Sequence, residues 1–238
     1  MLEHNVHWGW GAALLLMPTY TFAARPFVTD DARITDDRAC QLESWYKRDP
    51  DRWEVWALPA CNPFGNLETT LGAGYGSEDA NGELWGYVIQ GKTLAKALEP
   101  NSYGWGFAAG GILHPEIATE ENQLGSIYVY MPLSFSLHND VLVMHTNLGW
   151  LHDRDEHLDK LTWGIGSEIP LNAWVTAIAE IYGDNRENPF WQVGVRLWLI
   201  PNQLQLDGTT GGQLGEGEDN PWFSIGLRLL GGKIFEKS

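Results

Sequence analysis

Ser134, Ser136, His145 and Asn147 are the side chains whose types and spacing could carry out nucleophilic chemistry. A serine hydroxyl becomes reactive when a neighbouring histidine accepts its proton, and a membrane-embedded lipid hydrolase would need such a pair. His145 and Asn147 share one face of a strand, because side chains two positions apart point in the same direction. The sequence defines no nucleophile–base geometry for either serine, and His145 falls in mid-strand on an inward face. We therefore predict no catalytic residue and no enzymatic activity.

Phosphate, metal and nucleic-acid sites are not expected either. Residues 208–212 are rich in glycine but lack the lysine and the following helix of a phosphate-binding loop. The acidic run 153–159 lacks a defined ligand spacing, which favours a solvated loop over a calcium site. A net charge of −16 argues against nucleic acid as a partner. We expect no cofactor and no metal.

Cys40 and Cys61 are predicted to form a disulfide. A polar turn over 47–52 separates two strand-like runs, and folding the chain about its centre places the two cysteines opposite each other. The same register places Trp45 against Trp56, which is a favourable cross-strand pair. An even cysteine count in an exported protein also indicates a disulfide, whereas two cysteines without a nearby histidine make a poor zinc site.

Residues 102–113 indicate the kind of element that positions these side chains. Odd positions such as Tyr103, Trp105 and Phe107 are large and apolar, whereas even positions carry serine, glycine or alanine. Side chains of a strand alternate between two faces, so one face is bulky and the other nearly bare. This pattern is typical of a barrel wall with lipid outside and a cavity inside. A soluble sandwich would carry a polar second face.

The chain contains twelve such alternating runs, each followed by a turn. About 9–11 residues is the length that a tilted strand needs to cross a bilayer, and an even strand number is usual for a bacterial barrel. We therefore predict an all-β fold, a single antiparallel up-and-down transmembrane β-barrel of about 12 strands. If the first strand runs outward, most long acidic connections face the cell exterior. The predicted strands are 40–47, 52–58, 66–75, 84–94, 103–113, 124–133, 140–149, 161–169, 173–183, 190–200, 203–210 and 221–230.

The N-terminal region is predicted to precede the barrel as two parts. An apolar run that ends in Thr21-Phe22-Ala23 resembles an export signal with a small-x-small cleavage site. We predict a signal peptide over 1–23, an N-terminal segment over 24–38 and the barrel over 39–238. The segment 24–38 is polar without a clear period and could sit inside the barrel as a plug.

The inward positions of the predicted strands carry charged and polar residues. Charges inside a narrow barrel must be paired or hydrated. Two interpretations stay open: these residues form a structural network, which the matched opposite charges favour, or they form a lining that selects solutes. Inward glycines leave space for a lumen or for the segment 24–38. The predicted lumen-facing network is Glu43, Glu68, Lys92, His145, Asn147, Glu168, Glu180, Arg196, Asp207 and Arg228.

Arg196 and Asp207 are predicted to form an ion pair in this network. Pro201 and Asn202 are turn formers, and a two-residue turn centred on them pairs Ile200 with Gln203 and Arg196 with Asp207. A guanidinium opposite a carboxylate can form a bidentate bond.

Both ends of the chain resemble the outer-membrane proteins of the phenol-degradation meta-pathway family. The similarity lies at the start in Ala24-Arg25-Pro26-Phe27-Val28-Thr29-Asp30-Asp31-Ala32-Arg33-Ile34 and Gln41-Leu42-Glu43-Ser44-Trp45. Near the end it lies in Gln192-Val193-Gly194-Val195-Arg196-Leu197 and Gln205-Leu206-Asp207-Gly208. The resemblance implies an outer-membrane barrel of a Gram-negative bacterium that passes small hydrophobic or aromatic compounds, and it supplies no catalytic residues. Such barrels commonly end on an aromatic residue, whereas here Phe235 is followed by three further residues.

The function expected from the sequence is passive admission of small, hydrophobic or aromatic molecules through the cell outer membrane. The expected partners are outer-membrane lipid, a small hydrophobic solute and the outer-membrane assembly machinery. Two alternatives remain: a closed structural or adhesive barrel that acts through its acidic outer loops, and a membrane-embedded lipid hydrolase.

Overall fold

The computed structural model describes residues 27–78, 82–113, 126–154, 157–215 and 221–233. All twelve predicted strands are confirmed, and they form one closed antiparallel barrel in which β1 also pairs with β12. The predicted signal peptide and Phe235 lie outside the described residues. No helix in the described ranges is long and apolar enough to cross a membrane. The strands are β1 (Ala39–Arg48), β2 (Arg52–Cys61), β3 (Glu68–Glu78), β4 (Gly82–Lys96), β5 (Tyr103–Leu113), β6 (Ser126–Leu137), β7 (Leu142–Asp153), β8 (Leu158–Pro170), β9 (Val175–Asp184), β10 (Phe190–Ile200), β11 (Leu204–Gln213) and β12 (Trp222–Lys233).

The exterior of the barrel is apolar, as the alternation predicts. On β12, the side chains of Phe223, Ile225, Leu227 and Leu229 are 44–53 % exposed, and the residues between them point inward. A charged side chain on a lipid-facing surface costs about 2–4 kcal/mol at the bilayer midplane, so this exterior suits lipid. A closed barrel with such an exterior is the architecture of outer-membrane proteins, and the protein is located in the cell outer membrane.

The two ends of the barrel differ in their connections. We call one the turn end, with the connections 62–67, 97–102, 138–141, 171–174 and 201–203, and the opposite one, where the odd-numbered strands end, the loop end.

Several loop-end connections are shorter than the sequence predicts, because the strands extend into them. The predicted loop 150–160 is largely strand, since β7 continues to Asp153 and β8 begins at Leu158. Polar pairs support this extension: the His152 ring lies 2.8 Å from Asp159 and the Lys160 ammonium 3.3 Å from Asp153. The prediction of a long loop here is therefore wrong.

The turn between β10 and β11 differs from the predicted one by one residue. Ile200 pairs with Leu204 instead of Gln203. A two-residue hairpin turn of the favoured type needs positive φ at its first central residue, which the proline ring forbids. A register shift just before Ile200 compensates, so Arg196 does pair with Asp207 as predicted.

The predicted disulfide is confirmed. Cys40 and Cys61 are register partners on β1 and β2, with Cα atoms 4.1 Å apart, and their sulfur atoms are bonded. The bond closes the first hairpin at the turn end, next to the residues that precede β1.

We expect mass spectrometry of non-reduced peptides to recover Cys40 and Cys61 in one cross-linked species. Replacing both cysteines by alanine should lower the free energy of unfolding by up to about 3 kcal/mol, because the bond restricts the unfolded chain. Urea unfolding in detergent measures this change. Two free thiols in protein isolated from an oxidising compartment would contradict the assignment.

Candidate functional site

Residues 27–35 lie inside the barrel and 36–38 lead from them to β1, and we call 27–38 the inner segment. Phe27 and Ala32 are buried at 4 % and 0 % exposure. The Glu180 carboxylate accepts the backbone N–H groups of Val28 at 2.8 Å and Thr29 at 2.7 Å. Because an unpaired buried N–H is costly, these bonds show that the wall satisfies the backbone of the segment.

Further wall side chains bind the inner segment closer to the turn end. The Ser134 hydroxyl oxygen accepts the Ala32 N–H at 2.8 Å. The Glu68 carboxylate accepts both the N–H of Thr35 at 2.7 Å and its hydroxyl at 2.5 Å. Three separate strands, β3, β6 and β9, thus hold the backbone of one extended stretch.

Side chains of the inner segment form ion pairs with the wall. The Lys92 ammonium lies 2.9 Å from Asp30 and 3.5 Å from Asp31. The Arg33 guanidinium lies 3.2 Å from Glu168. Acidic and basic side chains of the segment therefore each pair with a wall residue of opposite charge, as buried charges require.

The ten side chains of the predicted network all lie on inward faces of their strands. Glu43 and Asn147 are partly exposed and the other eight are buried. They form groups around the inner segment, and Glu43, Glu68, Lys92 and Arg228 line one shared cavity. Glu68 pairs in register with Lys92, and Glu43 lies 3.6 Å from Arg228. Glu180 contacts the inner segment and Gln192, and Asn147 lies against the Asp30 backbone. The remaining four residues form one cluster: His145, Glu168, Arg196 and Asp207. A role in solute selection stays a prediction.

Arg196 bridges two carboxylates at the centre of the barrel. Its Nε donates to Asp207 Oδ1 at 2.8 Å, and its Nη1 donates to Glu168 Oε1 at 2.6 Å. The expected bidentate bond to Asp207 is therefore not formed. The bond to Asp207 uses one carboxylate oxygen, and the guanidinium binds Glu168, on a strand further round the wall, with a different nitrogen.

Ser134 and His145 do form the geometry that the sequence alone did not define. Ser134 Oγ lies 2.8 Å from His145 Nδ1, and His145 Nε2 lies 3.6 Å from a Glu168 oxygen. Both Ser134 and His145 are fully buried. The Ser134 oxygen also accepts the Ala32 N–H, so in this structure the serine takes part in holding the inner segment.

Two tyrosines of β6 belong to the interior but were not assigned to it from the sequence. Both faces of this run are apolar by residue type, and the structure turns Val129 outward and the tyrosines inward. The Tyr130 hydroxyl donates to Asp30 at 2.6 Å and the Tyr128 hydroxyl donates to Gln90 at 2.9 Å. A buried phenol needs a polar partner, and this requirement is the signal that could have placed them.

Several inward glycines are covered by neighbouring side chains. A Cβ atom at several of these positions would meet an aromatic ring of the paired strand. Gly164 and Gly166 instead face Thr29 and Phe27 of the inner segment. The ring–glycine pairs are Trp56 over Gly74, Tyr128 over Gly110 and Trp222 over Gly211.

Three cavities remain around the inner segment. The outer cavity, about 360 Å³, opens at the loop end, and the inner cavity, about 460 Å³, lies at the turn end. A central cavity of about 50 Å³ lies between them. Thr29, Val88 and Gln90 line both the outer and the central cavity, and Arg33 and Ile34 line both the central and the inner one. Among the described residues no cluster of metal-binding side chains is found.

Solved outer-membrane barrels share this fold. The KdgM porin has a TM-score of 0.59 at 8 % identity, covering 79 % of this chain and 98 % of that chain. The NanC porin has a TM-score of 0.55 at 11 % identity, covering 80 % and 99 %. The COG4313 outer membrane channel from Pseudomonas putida F1 has a TM-score of 0.61 at 9 % identity, covering 84 % and 98 %. At such identities the likeness concerns the fold alone.

Sequence comparison gives the family. No curated protein matches the sequence. The family described as uncharacterised conserved protein UCP029691 matches residues 11–230, a range that includes all of the strands except the last residues of β12. The chain therefore belongs to the family of uncharacterised conserved protein UCP029691, in which it forms a closed twelve-stranded outer-membrane β-barrel.

Proposed function

We propose that this protein is a passive outer-membrane channel for small hydrophobic or aromatic molecules. The observation that carries the proposal is the outer cavity, whose volume of about 360 Å³ suits a single-ring compound. Its lining is largely apolar, and Ile112, Tyr128, Leu151, Tyr182 and Phe190 contribute to it. The resemblance of the N-terminal sequence to the phenol-degradation meta-pathway family supports the same class of solute.

The inner segment acts in this proposal as the plug of the channel. It separates the outer cavity from the inner cavity, and the central cavity beside it is too small for a ring compound. Its contacts are hydrogen bonds and ion pairs with several strands, which can be exchanged one at a time. Passage then requires the segment to move aside, so the state described here is the closed state.

A closed structural barrel is the second candidate function. The observation that favours it is the filled centre, where the inner segment and the wall side chains around it leave about 50 Å³. Such a barrel would act through its loop end and would carry no solute. Conductance distinguishes it from a channel.

Purified full-length protein in planar bilayers tests the proposal. We expect discrete conductance steps that phenol, added at the loop end, reduces in a concentration-dependent way, whereas a polyol of similar size does not. Phe190→Ser should weaken the phenol effect, because it removes an apolar wall of the outer cavity. Phe64→Ser is the matched control, since Phe64 is 79 % exposed at the turn end. Absence of any conductance step would favour the closed structural barrel.

A further inference from the structure

Asp30 places a carboxylate in a site that the barrel wall builds. The Lys92 ammonium lies 2.9 Å from one carboxylate oxygen, and the Tyr130 hydroxyl donates to the other at 2.6 Å. Lys92 is 3 % exposed. An ammonium and a phenol that bind the two oxygens of one carboxylate give short, charge-assisted hydrogen bonds. The wall therefore contains a carboxylate site, which the chain's own aspartate occupies.

This carboxylate site adjoins the outer cavity. Tyr130 lines the outer cavity, and its ring stacks on that of Tyr128 with centroids 6.0 Å apart. Asp30 and Lys92 lie directly behind it in the central cavity, and Gln90 lines both cavities. An apolar, aromatic space therefore continues into a site that binds one negative charge.

Asp30 is the more exposed of the two carboxylates that contact Lys92. It belongs to the inner segment and its side chain is 23 % exposed, whereas that of Asp31 is 3 % exposed. Lys92 and Tyr130 belong to strands β4 and β6 of the wall. A solute carboxylate could replace that of Asp30 without any change in the strands.

We propose that the outer cavity, Lys92 and Tyr130 together bind a small aromatic carboxylate, with the ring in the cavity and the carboxylate in place of that of Asp30. The proposal rests on the proposed function and names its solute class. Binding of such a solute removes one ion pair that holds the inner segment, so the solute itself weakens the closed state. A neutral aromatic compound fills the cavity but leaves the Asp30–Lys92 pair intact.

Titration of the purified full chain in detergent with benzoate, benzyl alcohol and acetate tests this. We expect benzoate to bind severalfold more tightly than benzyl alcohol, because its carboxylate gains the bonds to Lys92 and Tyr130 while the displaced Asp30 carboxylate, already 23 % exposed, is hydrated. Acetate, which lacks the ring, should bind more weakly than either. Calorimetry gives the three affinities.

Four variants assign the effect to the site. Lys92→Met should abolish the preference for benzoate over benzyl alcohol, and Tyr130→Phe should reduce benzoate affinity by about fivefold, because the carboxylate loses one hydrogen bond. Asp30→Asn should act in the opposite direction and increase benzoate affinity, because the resident competitor loses its charge. Lys96→Met is the matched control, since the Lys96 ammonium binds Ser102 at the turn end.

The outcomes separate this inference from the proposed function. Equal affinities for benzoate and benzyl alcohol, or no gain in Asp30→Asn, would overturn the carboxylate site while leaving an aromatic channel in place. If neither ring compound bound more tightly than acetate, the proposed function would fail as well. The Asp30→Asn variant changes only the inner segment, so it tests the inference even if Lys92→Met does not fold.

Discussion

A chain that lacks residues 27–35 should conduct ions severalfold better than the full-length protein. The deletion removes the stretch that Glu180, Ser134 and Glu68 hold, and so joins the outer and inner cavities of about 360 and 460 Å³. Conductance rises with the open cross-section, and the central cavity of about 50 Å³ limits it in the closed state. Single-channel recording in planar bilayers measures the change.

A replacement of the same nine positions, 27–35, by a glycine–serine sequence of equal length is the control. If specific contacts hold the segment, this variant should also conduct well, because its backbone is free to leave. Slower migration of the heated than of the unheated protein verifies that each barrel is folded. An unchanged conductance in the deletion variant would mean that the wall side chains themselves close the pore, which would exclude the plug proposal.

Arg196→Ala should lower the free energy of unfolding by about 3–5 kcal/mol, the usual cost of breaking a buried ion pair. The guanidinium is 3 % exposed and Asp207 is fully buried. The second oxygen of Asp207 accepts no hydrogen bond within the described part of the chain. Without Arg196 this carboxylate loses its bonded cation. Urea unfolding of the protein in detergent measures the loss.

The double variant Arg196→Ala/Asp207→Ala measures how strongly the two residues are coupled, and so whether water reaches the ion pair. Asp207→Ala alone should cost less than Arg196→Ala, because Arg196 keeps its bond to Glu168. The coupling energy between the two substitutions should exceed 1 kcal/mol, about the upper limit for exposed pairs. Arg52→Ala is the control: Arg52 lies 3.8 Å from Asp49 and is 42 % exposed, so its loss should change stability by less than about 0.5 kcal/mol. A coupling energy near zero would indicate a wet lumen.

The period of two made the wall predictable from the sequence. Strand side chains alternate strictly, so the lipid-facing residues and the inward network follow once a strand is recognised. The Cys40–Cys61 register was predictable because the turn between their strands is short and symmetrical. The Arg196–Asp207 register was predicted correctly although its turn was not, since a bulge before Ile200 offsets the extra turn residue.

The interior of the barrel could not be predicted in the same way. The inner segment has no period, and the bonds from Glu180 to Val28 and Thr29 join residues more than 150 positions apart. Contacts between a backbone N–H and a remote side chain leave no pattern in residue type. Ser134 on β6 contacts His145 on β7 because the two residues are register partners. Both faces of β6 are apolar by residue type, so the sequence did not show which of its residues point inward.

The rings that lie over glycines also help to determine which strands pair and in which register. Tyr128 covers Gly110, its register partner on β5. A slip of two residues would keep every side chain on its proper face, but it would press the phenol against Ala108 or Ile112. The alternation of apolar and polar residues disfavours only register shifts by an odd number of residues. The ring–glycine pairs disfavour shifts by an even number. The ring–glycine pairs thereby disfavour closure of the barrel in a misaligned register.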